Sequence, residues 1–208
     1  MPDPLRSAAK VLMVEGDDEE RLVKALLKTL GITGVDVQNA RGKDNFKREL
    51  FSVFNTPREG DLEIIGIIRD AEGSASRVFQ STTDIFKRLS EKLNLPGLTT
   101  PARPEVFSQG TPRVGVFIMP GNAERGMLED LCLKSVEKHP AMKCVETFRD
   151  CIKTLKPPPK VPAKACAQAF LAAMPEIVRC VGEGAEKKYW DLDSEAFSAL
   201  QSFLETLR

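Results

Sequence analysis

Lys10-Val11-Leu12-Met13-Val14-Glu15-Gly16-Asp17-Asp18-Glu19-Glu20 is the stretch on which the reading of the chain turns. The apolar run at its start predicts a short buried strand. Gly16 breaks that run, and Asp17 with Glu20 three residues on has the form of a helix-capping box. Leu22, Val23, Leu26, Leu27 and Leu30 then recur at helical spacing as far as Gly31, a suitable stop. A strand therefore passes directly into a helix, with acids at the junction.

The same alternation continues outward. Val35 to Val37 reads as a second strand, and Phe46, Leu50, Val53 and Phe54 as a helical face stopped before Pro57. Leu62 to Ile68 is apolar and β-branched almost throughout, as expected for a strand buried on both faces. A helix is predicted from about Ser76 to Lys92, and residues 94–104 form a proline-broken loop. Glu105 to Ser108 and Arg113 to Met119 flank Gln109-Gly110-Thr111-Pro112, which predicts a hairpin leading into the last core strand.

From Gly126 onward the pattern is helical. Pro157-Pro158-Pro159 makes a stiff spacer between helices near 143–155 and 162–174. A final helix after Asp191 or Asp193 carries Phe197, Leu200, Leu204 and Leu207 on one face. This order predicts an α/β fold: a parallel sheet with helices on both faces, a mixed edge left open by the hairpin, and additional C-terminal helices. The expected division is an α/β core over 1–138 and a helical extension over 139–208 packed upon it.

Lys and Arg number 30 against 30 Asp and Glu in 208 residues, so the formal charge is zero. That balance excludes a protein that binds nucleic acid by bulk charge and leaves a local site open. Apolar residues make up 42% and charged ones 29%, a globular composition. No apolar run approaches the about 18 residues of a membrane span, and the N-terminal run is too short for a signal sequence. A cytoplasmic protein is expected. The five cysteines form an odd set without a CxxC pair, which favours neither zinc nor disulfides. His139 is the single histidine and stands beside a proline at a predicted helix end, so it reads as a solvated residue. Carboxylates must then carry most of any chemistry.

In a parallel sheet, ligands bind beyond the carboxyl ends of the strands. Acids gather there from three strands: Glu15 after the first, Asp70 and Glu72 after the third, and Glu129 and Asp130 beyond the fourth. Burying such groups together is costly, since like charges oppose one another and lose solvation. A hard cation with oxygen ligands, Mg²⁺ or Mn²⁺, removes that cost. Glu129 and Asp130 are consecutive on a helix, so only one can face the site, where it would back the ligands or hold a second ion. Asp17, Asp18, Glu19 and Glu20 read chiefly as helix-capping acids. Lys43 and Arg69 are candidates for contacting a phosphate, and Lys153, Lys156, Lys160 and Lys164 read as a solubilising linker around the prolines. Tyr189 and Trp190 read as packing anchors. No GxGxxG follows the first strand and no GxxxxGK[ST] occurs, so dinucleotide and Walker-type loops are not supported.

A strand ending in Glu-Gly, then a helix, then a later strand ending in Asp-x-Asp resembles the Toprim pattern of topoisomerases, DnaG-type primases, RecR-type proteins and OLD-family nucleases. The wider chain resembles an uncharacterised bacterial family of small Toprim-like proteins related to the OLD-type nucleases. The likeness rests on VEGDDE (14–19), RGKDNF (41–46), IRDAEGS (68–74), MPGN (119–122) with GMLEDLCL (126–133), and EKKYWDLDSEAFSALQSFLETL (186–207). It implies that Glu15 is a metal ligand or general acid/base, and that Asp70 and Glu72 hold Mg²⁺. Glu72 stands where the pattern has aspartate. The function so implied is a Mg²⁺-dependent nuclease acting on DNA or RNA, alone or with a separate ATPase partner. The alternatives are a catalytically inactive binding or regulatory module, and an interaction protein whose acids only cap helices. Oligomeric state is left open.

Overall fold

The computed structural model describes residues 9–56, 61–122 and 125–208. The first eight residues, and Pro57 with its expected role in stopping a helix, lie outside these. In chain order the elements are β1 (Lys10–Val14), α1 (Asp17–Thr29), β2 (Val35–Asn39), α2 (Phe46–Asn55), β3 (Ile64–Asp70), α3 (Ala75–Leu93) and β4 (Arg113–Met119). Then follow α4 (Leu128–Ser135), α5 (Met142–Lys153), α6 (Pro162–Ala172), α7 (Val181–Glu186), a 3₁₀ turn at Glu195–Phe197 and α8 (Ser198–Glu205). The α/β alternation read from the sequence is present.

The four strands form one parallel sheet in the order β2-β1-β3-β4. Period-two alternation divides its side chains between two cores. Val11, Met13, Ile65, Ile67, Val114, Val116 and Ile118 pack with α2 and α3. Leu12, Val14, Ile64, Ile68, Phe117 and Met119 pack on the other face with α1 and with apolar residues of α4 to α8. Gly66 of β3 lies on that second face: a Cβ there would stand 2.8 Å from Leu12 Cδ1 and 3.5 Å from the Phe203 ring. Gly115 in β4 likewise leaves room for the Phe107 ring, at 2.5 Å. Phe203 of α8 stacks between Phe107 and Phe117, with centroids 5.0 and 5.6 Å away.

Three expectations are corrected. The hairpin ending in β4 does not form, so among the described residues the sheet has no mixed edge. Glu105 N donates to Val116 O and Ser108 N to Val114 O, each at 2.8 Å, but Glu105 has φ +68 and so cannot sit in a pleated strand. The segment lies along β4 as an irregular strap. The strand expected at Leu62 to Ile68 is shifted to Ile64–Asp70, which makes Asp70 its last residue. The capping box of Asp17 and Glu20 is also absent. Helix α1 begins at Asp17 with Gly16 at its cap, which makes no side-chain bond. Asp17 instead accepts from Asn39 Nδ2 at 2.6 Å, and Glu20 pairs with Lys24 at 2.5 Å.

Trp190 is 2% exposed, stacks on Phe170 at 4.9 Å and donates its Nε1–H to Val181 O at 2.9 Å, the anchoring role expected of it. All five cysteines are free thiols. His139 is exposed, with its ring edge-on to Phe170 at 5.2 Å. Among the described residues no helix is long and apolar enough to cross a membrane.

Candidate functional site

The strand order reverses direction between β1 and β3: from β1 the chain moves to β2 on one side and later to β3 on the other. Loops leaving two such neighbours diverge and open a crevice at their carboxyl ends. Glu15 follows β1 and Asp70 ends β3, so the sheet itself sets these two acids on either side of the crevice. The hollow there is lined by Glu15, Glu19, Asp70, Glu72, Arg41 and Lys164, among others.

Each acid is held differently. Glu15 accepts from Arg69 Nε at 2.5 Å, and both side chains are nearly buried, at 15% and 11% exposure. Arg69 is itself fixed by Thr82 Oγ1 at 3.3 Å from Nη1 and by the Phe46 ring, 4.8 Å beneath its guanidinium. Asp70 Oδ1 accepts the backbone N–H of Leu128 at 3.1 Å. That amide belongs to the start of α4, so the dipole of the helix also faces Asp70. Glu72 has φ +48 and forms an isolated bridge with Gly126, which brings the segment before α4 across the loop. The Glu72 side chain is half exposed and meets Lys43 Nζ at 3.0 Å, so Lys43 and Glu72 close the rim on each other.

Of the two consecutive acids beyond β4, Glu129 turns inward and is 6% exposed, with Lys164 Nζ 3.7 Å away. Asp130 faces solvent and accepts the Met127 N–H at 3.0 Å, so it caps its own helix.

Glu19 is the site residue that sequence reasoning missed. It was grouped with Asp17, Asp18 and Glu20, but those three have structural partners. Asp17 meets Asn39, Glu20 meets Lys24, and Asp18 Oδ1 accepts the Gly182 N–H at 2.8 Å. Glu19 folds back over the strand end, and Gly16 permits this: a Cβ at Gly16 would lie 2.9 Å from Glu19 Oε2. The signal available was spacing, since Glu19 is four residues from Glu15 across a glycine. Lys164 was also missed, because it was read as part of the linker.

The electrostatics follow from this crowding. Burial first, then the charges of Glu19, Glu15 and Glu129, raise the Asp70 carboxyl to about 8, against a partial lowering by the Leu128 amide. Glu19 is raised by burial and by Asp18, Glu15 and Glu129, with its own amide opposing. Glu129 is raised by burial, with Lys164 opposing. Burial also pushes up the Cys132 thiol beside Glu129. Arg69 serves Glu15, Lys164 serves Glu129 and Lys43 serves Glu72. Among the described residues neither Asp70 nor Glu19 has a Lys or Arg nitrogen within 4.0 Å.

The donor set is entirely carboxylate, which suits a hard cation with oxygen ligands. As the side chains stand, no group of three or more His, Cys, Asp or Glu among the described residues could hold an ion. Glu72 turns to Lys43 and does not join Asp70.

The model of a family described as "Protein of unknown function (DUF3226)" matches residues 9–208. No curated protein matches the sequence. Among solved structures, the chain is similar to the C-terminal region of the Burkholderia pseudomallei OLD protein at 16% identity and a TM-score of 0.44, covering 97% of this chain and 99% of that one. It is similar to the C-terminal region of the Xanthomonas campestris pv. campestris OLD protein at 16% identity and a TM-score of 0.41, covering 96% of each.

Proposed function

The chain belongs to DUF3226, a family of proteins of unknown function, and we propose that its acidic hollow serves Mg²⁺- or Mn²⁺-dependent phosphoryl transfer. The reading is a Toprim- and OLD-like nuclease acting on DNA or RNA in the cytoplasm, alone or beside a separate ATPase chain. One observation carries it: Asp70 and Glu19 are largely buried at the switch point of a parallel sheet, oppose each other electrostatically and, among the described residues, make no ion pair with a Lys or Arg. Such an arrangement retains a proton or takes up a cation, and a hard cation suits its all-oxygen donors. Resemblance of VEGDDE and IRDAEGS to the Toprim pattern supports the same reading.

Glu15, Glu19 and Asp70 would hold the ion once the Glu19 and Asp70 side chains turn toward Glu15, with Glu129 behind them. A hard divalent cation supplies charge neutralisation for phosphate oxygens and acidifies water. The chain's own part is to bind and orient. Arg69 fixes the rotamer of Glu15, and the Leu128 amide fixes Asp70. Lys164 and Arg41 line the hollow as exposed cations and would receive the phosphate. Lys43, tied to Glu72, would open toward a substrate that competes for it.

A second reading, a binding or regulatory module without turnover, is favoured by Glu72 alone, which is engaged by Lys43. Plasmid nicking in Mn²⁺, with calorimetry of Mn²⁺ binding, separates the two. A nuclease binds Mn²⁺ and nicks, and Asp70→Asn abolishes both. Binding without nicking supports the second reading, and no binding at millimolar Mn²⁺ overturns both.

A further inference from the structure

A second cleft lies further along α1 and shares no lining residue with the acidic hollow. Arg21, Lys24, Ala25 and Lys28 recur at i, i+3, i+4 and i+7, so they form one face of α1, turned away from buried Leu22, Val23, Leu26 and Leu27. That face is one wall. The end of α4 and the turn after it bring Lys134 and Lys138 to a second wall, and the turn after α7 brings Lys188 and Tyr189 to a third.

The cations in this cleft fall into two groups. Arg21 is tied to Glu183 and Glu186, and Lys24 to Glu20. Lys28, Lys134, Lys138 and Lys188 are exposed, and among the described residues none of them has a carboxylate within 4.0 Å. Four acids share the lining: Glu186, which pairs with Arg21, and Glu137, Asp191 and Asp193, none of which makes an ion pair with these lysines. Asp191 is partly occupied by the Asp193 N–H at 3.2 Å. Four ammonium groups without an ion pair line one cleft from three walls, and their like charge favours an anion there. They are all lysines, compact point charges that bind phosphate oxygens without the planar fork of arginine. The cleft volume of about 1120 Å³ exceeds the usual small-molecule range of about 300–1,000 Å³, which suits an extended ligand.

We propose that this lysine-lined cleft between α1, the α4–α5 turn and the α7 turn is a phosphate-binding site for a ligand carrying several phosphates, separate from the acidic hollow. The chemistry is shared by a single-stranded nucleic acid and a free nucleoside polyphosphate. This inference goes beyond the proposed phosphoryl transfer and does not need it. Because the two sites share no lining residue, a strand held by the lysines leaves the carboxylates free.

The test is fluorescence anisotropy of a labelled single-stranded 20-nucleotide DNA in EDTA at low salt, with ATP and polyglutamate as competitors. EDTA removes any metal-dependent step, so the result is independent of whether the hollow binds a cation or cleaves. The comparison is a Lys28→Gln/Lys134→Gln/Lys138→Gln triple variant, in which all three positions are exposed and the fold is retained by circular dichroism. The expected result is binding that weakens at least about tenfold in the variant, with a salt slope smaller by about two, since each phosphate contact to a single strand contributes about 0.7. Displacement of the strand by ATP assigns the site to nucleotide phosphates, and retention of the strand assigns it to nucleic acid. Either supports the proposal. Equal binding by the triple variant overturns it, as does competition by polyglutamate equal to that of ATP and of unlabelled strand.

Discussion

Arg69 Nε stands 2.5 Å from Glu15 Oε1 across the β1–β3 switch point, in a pair that is almost wholly shielded from solvent. Arg69 is held from below by the Phe46 ring and from the side by Thr82, so the guanidinium is locked before any ligand arrives. The pair fixes one acid of the site and leaves its neighbours Asp70 and Glu19 without a comparable partner. The charge imbalance of the hollow is therefore built into the fold.

Removing the fixed cation should be costly. Arg69→Gln leaves the Glu15 carboxylate buried and unpaired, a change of about 3–5 kcal/mol for such pairs. Arg69→Lys keeps the charge but loses the fork and its stacking, and should lie between. Urea unfolding in EDTA checks the order. Repeating it in Mn²⁺ should recover part of the Arg69→Gln loss, since the ion then supplies the missing charge.

Asp70 makes the stability depend on pH in an unusual direction. Its carboxyl rises from 3.8 to about 8 on folding, so between those values the folded chain keeps a proton that the unfolded chain has released. This contribution is complete below about pH 3.8 and lost as pH passes about 8. Stability in EDTA should fall with rising pH across that window, by up to about 1.4 kcal/mol per pH unit. Glu19 and Glu129, both raised, act in the same sense. Asp70→Asn should flatten the profile and raise the melting temperature at pH 8. A profile unchanged by that substitution would remove Asp70 as its source.

Cation binding should release protons for the same reason. Near neutral pH Asp70 is largely protonated without metal, and a ligand carboxylate must be ionised. Calorimetry of Mn²⁺ binding at pH 7 in buffers of different ionisation enthalpy should show release of about one proton, falling toward zero above pH 9. Affinity should climb with pH over the same range. Equal heats in all buffers would disconnect Asp70 from the ion.

Much of this was legible in the sequence because it depends on local pattern. Apolar runs and helical stripes gave the alternation, and the alternation led to a parallel sheet with Glu15 and Asp70 at one edge. What was not legible depends on long-range approach. Glu19 looked like one of four capping acids, and only the partners of the other three single it out. Lys164 reads as linker until α6 packs against α4 and brings it to Glu129. The false hairpin has a backbone cause: Glu105 sits at φ +68, a conformation that spacing does not reveal. Glu72 lines the hollow, and its rotamer toward Lys43 is a side-chain choice outside any sequence pattern.

Lys164 offers a test of what the C-terminal helices contribute. It is exposed and its ion pair with Glu129 is long, so Lys164→Ala should leave thermal stability nearly unchanged. If it receives phosphate, nicking should fall by about 10- to 100-fold, chiefly in kcat. Lys160→Ala, four residues away and outside the hollow, serves as the matched control and should retain full activity. Equal effects from the two would return Lys164 to the linker role.

Gly16→Ala separates the fold from the site most sharply. Gly16 has φ −148 and ψ −176, extended backbone that alanine adopts without strain. The cap has no side-chain bond to lose, so the stability cost should stay within about 1 kcal/mol. The added methyl would nevertheless lie 2.9 Å from Glu19 Oε2, and the carboxylate, as the mobile end of a side chain, is what must move. Mn²⁺ affinity should therefore fall at least about tenfold while the urea midpoint barely shifts, since displacing one ligand by about an ångström is enough to spoil a hard-cation site. Glu19→Gln should lower affinity comparably, and Gly16→Ala added to Glu19→Gln should lower it little further, because both act through the same carboxylate. Full additivity of the two would mean that Gly16 affects the hollow by some route other than Glu19.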